Sequence, residues 1–291
     1  MSGTRNIWMV GMVGLALTAG LARAEFSDDM LAAAQLRKDG KHKEAIQTYL
    51  ALAEQAPDDD RRFEAVSAAA VCARLDTPSG EARALTLCDQ AGPDPYPKAC
   101  RATIYYWMTS PSNVVADLGA EEIAAWPEAL AVVGFSARGR AHLFLKNGPA
   151  AVADFVKVYQ FGNLFGKMDG LKWLGDTYWK LLDDTVLAEA FYRKCMAMGP
   201  GSTPGLLARI NLGALRTEEG RHDDALKVLN DFLPRASGCW KADMLLGIAK
   251  THIAAGQAEQ ARDALEAVPA SPGVLSHQVK AAEQLKASLK Q

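Results

Sequence analysis

The chain has 291 residues, of which 49% are hydrophobic and 23% are charged, and this composition excludes a disordered or low-complexity protein. The net charge is -2, so there is no surplus of basic residues to neutralise phosphates, and we expect no nucleic-acid partner. The length allows one large domain, two small domains or a solenoid of repeats.

Residues 1–24 have the pattern of a cleaved secretory signal. Arg5 precedes an apolar segment at 7–21, and Ala22, Arg23 and Ala24 supply the small-x-small motif of a signal-peptidase site. The alternative is a retained membrane anchor, but the segment has about 15 residues and a span needs roughly 20. We therefore expect cleavage after Ala24, export to the periplasm or the cell exterior, and no stable membrane anchor in the mature chain.

From Asp28 onward the sequence predicts helices and no strands. Alanine is abundant, and no alternating polar and apolar segment of useful length appears. Turn signals containing Gly, Pro, Asp or Asn divide the chain into segments of about 12 to 18 residues, which suits ordinary helices. Short helices joined by short turns pack as antiparallel neighbours, so we predict an all-α fold built from helical hairpins.

One spacing of small and large residues recurs along the chain. Ala33 is followed after 12 residues by Ala45 and after 4 more by Tyr49. The same order, with a first offset of 12 or 13 residues, occurs at Gly175–Ala188–Tyr192, Gly213–Ala225–Leu229 and Ala249–Ala261–Leu265. In three of the four units a glycine lies seven residues after the first small residue, where a tight turn often requires positive φ. The small residues let the two helices cross closely, and the large residue fills the gap towards the next hairpin.

This order resembles the tetratricopeptide repeat (TPR), whose unit has about 34 residues. Residues 38–46 and 218–226 are similar to its turn and the start of its second helix, and residues 174–178 to the core of its first helix. The resemblance implies an all-α, right-handed TPR-like superhelix of helical hairpins that binds a protein or peptide in a concave groove. No cofactor is implied.

The resemblance varies along the predicted solenoid, which spans 25–270. It is good at 26–59 and continuous over 168–270, whereas 60–165 is either a set of degenerate helical hairpins or a separate helical insert. In that middle part, Ala141, Gly148, Ala151 and Phe155 suggest one unit with a shortened turn. Residues 271–291 are predicted to form a capping helix, which a solenoid needs at its open end.

The candidate partner-binding residues lie on the first helix of the unit at 168–200. Groove-facing positions are three and four residues apart along such a helix. They carry Asp169, Lys172, Trp173, Asp176 and Trp179, and Asn211 continues this surface in the next unit. Tryptophans flanked by charges are typical of peptide-binding sites. The alternative is that both tryptophans pack against the preceding helix, around residues 159–165.

No catalytic or metal-binding motif is present, and we predict that the protein is not an enzyme. There is no GxSxG, HExxH or Walker sequence, and the five histidines are scattered. Two alternatives of other classes remain. One is a cell-envelope enzyme or enzyme subunit acting on glycan, with Glu121 or Asp169 as its acid. The other is a carrier of an apolar ligand, held by residues 105–108 and 159–165.

Five cysteines allow disulfides if the chain is exported, and their odd number leaves at least one thiol unpaired within the chain. One bond could form among Cys72, Cys88 and Cys100, which lie on neighbouring predicted helices, and a second between Cys195 and Cys239. Alternatively, all five are small buried hydrophobic residues. No CxxC motif is present, so the sequence predicts neither a zinc site nor a thioredoxin-like site.

Overall fold

The computed structural model describes residues 21–76, 80–108 and 111–289. This part of the chain contains 16 α-helices, one short 3-10 helix and no strand, which confirms the predicted all-α class. Residues 1–20 of the predicted signal lie outside the described residues, and cleavage after Ala24 stays a prediction. In the described part, no helix is both long enough and apolar enough to cross a membrane.

The chain forms two compact units, which the structure describes at residues 21–166 and 167–289. The helices of the first unit are α1 (Leu21–Lys38), α2 (His42–Glu54), α3 (Asp59–Asp76), α4 (Gly80–Cys88), α5 (Tyr96–Met108), α6 (Pro111–Asp117), α7 (Ala120–Ala124), α8 (Glu128–Phe144) and α9 (Gly148–Phe161). The boundary between the units falls within α10 (Leu164–Lys180).

The second unit continues with the same alternation of helices and short turns. Its remaining helices are α11 (Thr185–Met198), α12 (Thr203–Glu218), α13 (His222–Asn230), the 3-10 helix Leu233–Arg235, α14 (Cys239–Ala254), α15 (Ala258–Ala267) and α16 (Ser276–Ser288). Helices that follow each other in the chain pack as hairpins, for example α12 on α13 and α14 on α15. The last helix, α16, falls within the segment predicted to cap the solenoid.

Several helix starts are fixed by side chains that satisfy free backbone N–H groups. Asn147, Asp184 and Ser202 each accept a hydrogen bond from the backbone nitrogen three residues later, at 3.4, 2.9 and 3.2 Å. Prolines stand in the first turns of α9 and α12, where a missing N–H costs nothing. These caps begin α9, α11 and α12 at residues that the sequence already marks as turns.

The small and large residues of the repeat meet inside each hairpin. A Cβ atom added at Gly175 would lie 2.5 Å from the ring of Tyr192, and one at Gly213 would lie 3.0 Å from Leu229. At Gly175 only a residue without a side chain allows this approach, whereas Ala33 and Ala249 occupy the equivalent positions of other hairpins.

The same 12-residue and 4-residue offsets also occur where the sequence resemblance is weak. All the residues concerned are buried, and they form the sets Cys72–Ala84–Cys88, Ala102–Val114–Leu118 and Gly139–Ala151–Phe155. A Cβ atom at Gly139 would lie 2.8 Å from the Phe155 ring, which repeats the contact between Gly175 and Tyr192. The described chain therefore contains seven hairpins with closely similar internal spacing: the first offset is 12 residues in six of them and 13 in the hairpin that begins with α10.

The turn between α8 and α9 differs from our expectation of a shortened turn at Gly148. The small residue facing Phe155 is Gly139 rather than Ala141, and the residue seven positions later is Lys146. Lys146 has a φ of 59°, the left-handed conformation that Gly40 and Gly220 adopt at 76° and 74° in their own turns. The turn keeps its full length because a lysine adopts the conformation that glycine adopts elsewhere.

Candidate partner-binding face

The candidate partner-binding face is formed by α10, α12 and α14, the first helices of three successive hairpins in the second unit. Hydrogen bonds join each of these helices to the next. Trp179 Nε1 donates to Glu218 Oε2 over 3.1 Å, and the hydroxyls of Thr217 and Thr251 are 2.8 Å apart. The first helices therefore lie side by side.

Asp176 is the centre of a buried polar network between α10, α11 and α12. It is 3% exposed, and its Oδ1 accepts hydrogen bonds from the Tyr192 hydroxyl at 2.6 Å and from Asn211 Nδ2 at 2.7 Å. Its Oδ2 pairs with Lys172 Nζ at 2.9 Å. Every oxygen of this carboxylate has a partner, so the network satisfies the charge that it buries.

The environment of Asp176 favours its ionised form. Burial alone raises the pKa of a carboxyl, but the positive charges of Lys172 and Lys180 and the hydrogen bond from Tyr192 outweigh burial and hold the pKa of Asp176 below its usual value. The stability that follows from this lowered pKa is present above about pH 4, the unfolded value. It is lost as the pH falls through the lower folded value.

Three of the six sequence candidates are buried rather than exposed in a groove. Asp169, Lys172 and Asp176 are 6%, 5% and 3% exposed. Lys172 pairs with Asp176, and its ammonium lies 3.2 Å from the centroid of the Trp173 ring. These contacts compensate the buried charges of Lys172 and Asp176.

The other three candidates, Trp173, Trp179 and Asn211, are half-buried and keep accessible surface. Trp179 is held in place by its hydrogen bond to Glu218, and Lys180 Nζ lies 4.9 Å from the centroid of its ring. A tryptophan fixed by a polar contact at one edge can offer the rest of its ring to a partner at a small entropy cost.

Accessible residues on α12 and α14 extend the face beyond Trp179. On α14 they follow one another at steps of three and four, and on α12 they form one stripe that includes the adjacent Ile210 and Asn211. They are Leu207, Ile210, Asn211, Ala214 and Glu218 on α12, with Trp240, Asp243, Gly247, Lys250 and Ala254 on α14. The sequence candidates did not include Leu207, Ile210 or Trp240. Counting back from Lys250 in helical steps would have found Trp240.

Asp243 lies on this face against the last helix. Gln278 Nε2 of α16 donates to Asp243 Oδ1 at 2.6 Å and also to the carbonyl of Cys239 at 2.9 Å. Burial raises the pKa of Asp243, and the hydrogen bond from Gln278 and the nearby charges of His277 and Lys250 oppose this rise. The face thus ends at α16, where the carboxylate of Asp243 is partly buried.

Comparison with solved structures shows what this arrangement resembles. The chain is similar to the crystal structure of a tetratricopeptide repeat protein from Parabacteroides merdae, with a TM-score of 0.55 and 14% sequence identity over 91% of this chain and 99% of that chain. The fold is TPR-like. No protein-family model matches the chain, and no curated protein matches it. At this identity the likeness concerns the fold alone.

Residues of the alternative functions have different surroundings in this TPR-like fold. Glu121 is exposed in the first turn of α7, whereas Asp169 is buried in α10. In the first unit the Tyr105 hydroxyl donates to Asp117 at 2.6 Å, and Phe161 stacks on Phe135 with ring centroids 6.2 Å apart. The described residues contain no group of three or more His, Cys, Asp or Glu side chains that could hold a metal ion.

All five cysteines are thiols in the structure. Cys195 Sγ lies 3.2 Å from the carbonyl of Met168, and Cys239 is the half-buried first residue of α14. The pairing of Cys195 with Cys239 stays a prediction. Within the first unit, the Sγ atoms of Cys88 and Cys100 are neighbours.

Proposed function

We propose that the chain is a scaffold that binds a protein or peptide partner on the face formed by α10, α12 and α14. One observation carries this proposal. Trp179 is half-buried near the C-terminal end of α10, where its ring donates a hydrogen bond to Glu218 and lies 4.9 Å from the ammonium of Lys180. Aromatic side chains on a rigid frame, with charges beside them, provide most of the energy at interaction hot spots.

The rest of the face supports the same function. Leu207, Ile210 and Trp240 add accessible apolar surface, and Glu218 and Lys250 add charges of both signs at its exposed edges. TPR-like repeat folds generally act as protein-interaction scaffolds and usually have no catalytic role. A partner of this face would be a protein segment with apolar side chains and charged groups of both signs.

The partner can be identified by crosslinking in the native host, followed by affinity capture and mass spectrometry. Trp179→Ala is expected to weaken the capture of a specific partner by at least about tenfold, since truncating a hot-spot aromatic costs about 2 kcal/mol or more. Phe144→Ala is the matched control, because Phe144 is an aromatic residue that is 63% exposed at the end of α8, outside this face. Unchanged thermal melting would show that both variants are folded.

Two results would contradict this proposal. A partner captured equally well by Trp179→Ala and by the wild type would place the binding surface elsewhere. A partner lost only with Phe144→Ala would move the site to the first unit.

We also propose that the partner is met outside the cytoplasm, because residues 1–24 have the pattern of a cleaved signal. Expression of the full chain in a Gram-negative host should give a periplasmic protein whose intact mass corresponds to a first residue of Glu25. Ala24→Phe should accumulate as the uncleaved precursor, because signal peptidase requires a small residue before the cut. Full-length protein in the cytosol, for both the wild type and the variant, would refute export.

A further inference from the structure

Two buried cysteines of the first unit face each other across a connection between helices. Cys88 is the last residue of α4 and Cys100 lies in α5, and both are 0% exposed. Their Sγ atoms are 2.7 Å apart as thiols. The sequence left three possible pairs among Cys72, Cys88 and Cys100, and the short contact between sulfur atoms joins Cys88 with Cys100.

We propose that Cys88 and Cys100 form a disulfide that ties α4 to α5 when the chain folds in an oxidising compartment. Sulfur atoms in a disulfide lie about 2.05 Å apart, so bond formation requires only a small adjustment of side chains that already meet. In the cell this bond rests on the proposed export, since an oxidising compartment is where structural disulfides persist. In the purified protein it rests on the geometry alone.

The reaction removes two protons and two electrons from the pair of thiols. The electron acceptor is a disulfide, either that of a thiol–disulfide oxidoreductase in the cell or glutathione disulfide in vitro. One cysteine thiolate attacks this disulfide and releases one thiol. The second cysteine thiolate then attacks the resulting mixed disulfide, forms the Cys88–Cys100 bond and releases the second thiol.

The bond should form while the chain is folding rather than afterwards. Both sulfur atoms are inaccessible in the folded unit, so an oxidant cannot reach them. In addition, the hydrogen bond to Cys100, followed by burial, raises the pKa of the Cys88 thiol, and a protonated thiol does not attack a disulfide. The folded unit would therefore keep whichever redox state it acquired during folding.

The position of the pair suits a structural bond. The connection between α4 and α5 contains Pro93 and Pro95, and Arg101 of α5 forms an ion pair at 2.5 Å with Asp89, the residue that follows α4. A covalent bond there would restrict the unfolded chain over a loop of about a dozen residues, which stabilises the folded state.

The test begins with the mature chain refolded in a glutathione redox buffer, then unfolded in denaturant at low pH, alkylated with iodoacetamide in the same denaturant after neutralisation, and digested, so that every free thiol is accessible to the reagent. We expect a linked peptide pair containing Cys88 and Cys100, an intact mass lower by two hydrogen atoms, and alkylation only at Cys72, Cys195 and Cys239. Five alkylated cysteines, or a bond that involves any of the other three, would overturn the proposal.

Stability measurements provide a second readout. Reductant should lower the urea midpoint of the wild type and of Cys72→Ala, and leave the Cys88→Ala, Cys100→Ala double variant unchanged. Equal midpoints for the wild type with and without reductant would also contradict a stabilising bond.

Alkylation of the protein from the native host distinguishes the proposed disulfide from the proposed export. Detection of the Cys88–Cys100 bond in the cell would support both proposals. A bond that forms on refolding, combined with free thiols at both positions in the cell, would refute the proposed export and leave the pairing of Cys88 with Cys100 intact.

Discussion

Replacing Asp176 with alanine is expected to lower the free energy of unfolding by about 3–5 kcal/mol, because this change leaves a buried charge without its partner. Lys172, which is 5% exposed, would lose the carboxylate at 2.9 Å that compensates its ammonium group. Tyr192 and Asn211 would also lose the acceptor of their hydrogen bonds. Urea denaturation followed by circular dichroism measures the change.

Two further variants test whether the loss comes from the unpaired charge. Tyr192→Phe removes one hydrogen bond and keeps the ion pair, so its expected cost is about 1 kcal/mol. The double variant Lys172→Met, Asp176→Leu removes both charges of the pair, and it should be more stable than Asp176→Ala because neither member of the pair is left as an unpaired buried ion. If Asp176→Ala costs less than about 1 kcal/mol, the network is solvated rather than buried.

Gly175→Ala should lower the free energy of unfolding by about 1–3 kcal/mol through overpacking. The added Cβ would lie 2.5 Å from the ring of Tyr192, which is fully buried and tied to Asp176, so the ring has little freedom to move away. Gly201→Ala is the matched control, because its Cβ would meet only one atom of Phe232, at 4.0 Å. Thermal melting of the two variants measures the difference.

Tyr192→Leu in the Gly175→Ala background provides a rescue. Ala249 and Leu265 occupy the equivalent positions of a later hairpin and are both buried, so a small Ala–Leu pair fits this contact. The double variant should therefore be less destabilised than the sum of its single changes, a coupling that neighbours in contact show. If the losses in the free energy of unfolding are additive, the size of the side chain at 192 does not restrict the residue at 175.

The sequence predicted the class of fold because the hairpin contact is local. Ala33, Ala45 and Tyr49 lie within one hairpin, and their spacing follows from helix length and turn length alone. The middle hairpins escaped recognition for two reasons. Cysteines stand where other hairpins have alanine and tyrosine, and Lys146 occupies a turn position that is glycine in three other hairpins.

The candidate site was predicted less completely than the fold. Helical spacing places Lys172, Asp176 and Trp179 along one helix, but it gives no information on how far each is covered by other elements. Asp176 is buried partly by Asn211, which comes 35 residues later in the chain. The burial of a side chain in a stack of hairpins depends on the neighbouring hairpin. The residue pattern of one helix gives no information about that neighbour.

The hydrogen bonds between successive first helices of the second unit differ in chemistry from one junction to the next. Between α10 and α12, Asp176 accepts from the amide of Asn211, and the indole of Trp179 donates to Glu218. Between α12 and α14, the hydroxyls of Thr217 and Thr251 share a hydrogen bond. On the far side of α14, Asp243 accepts from the amide of Gln278. Hairpins of similar shape can stack in the wrong order, a typical error of repeat proteins. A junction between the wrong hairpins would leave a donor facing a donor or a buried acid facing a hydrocarbon. We therefore expect these hydrogen-bonded pairs to favour the native order in which the hairpins pack.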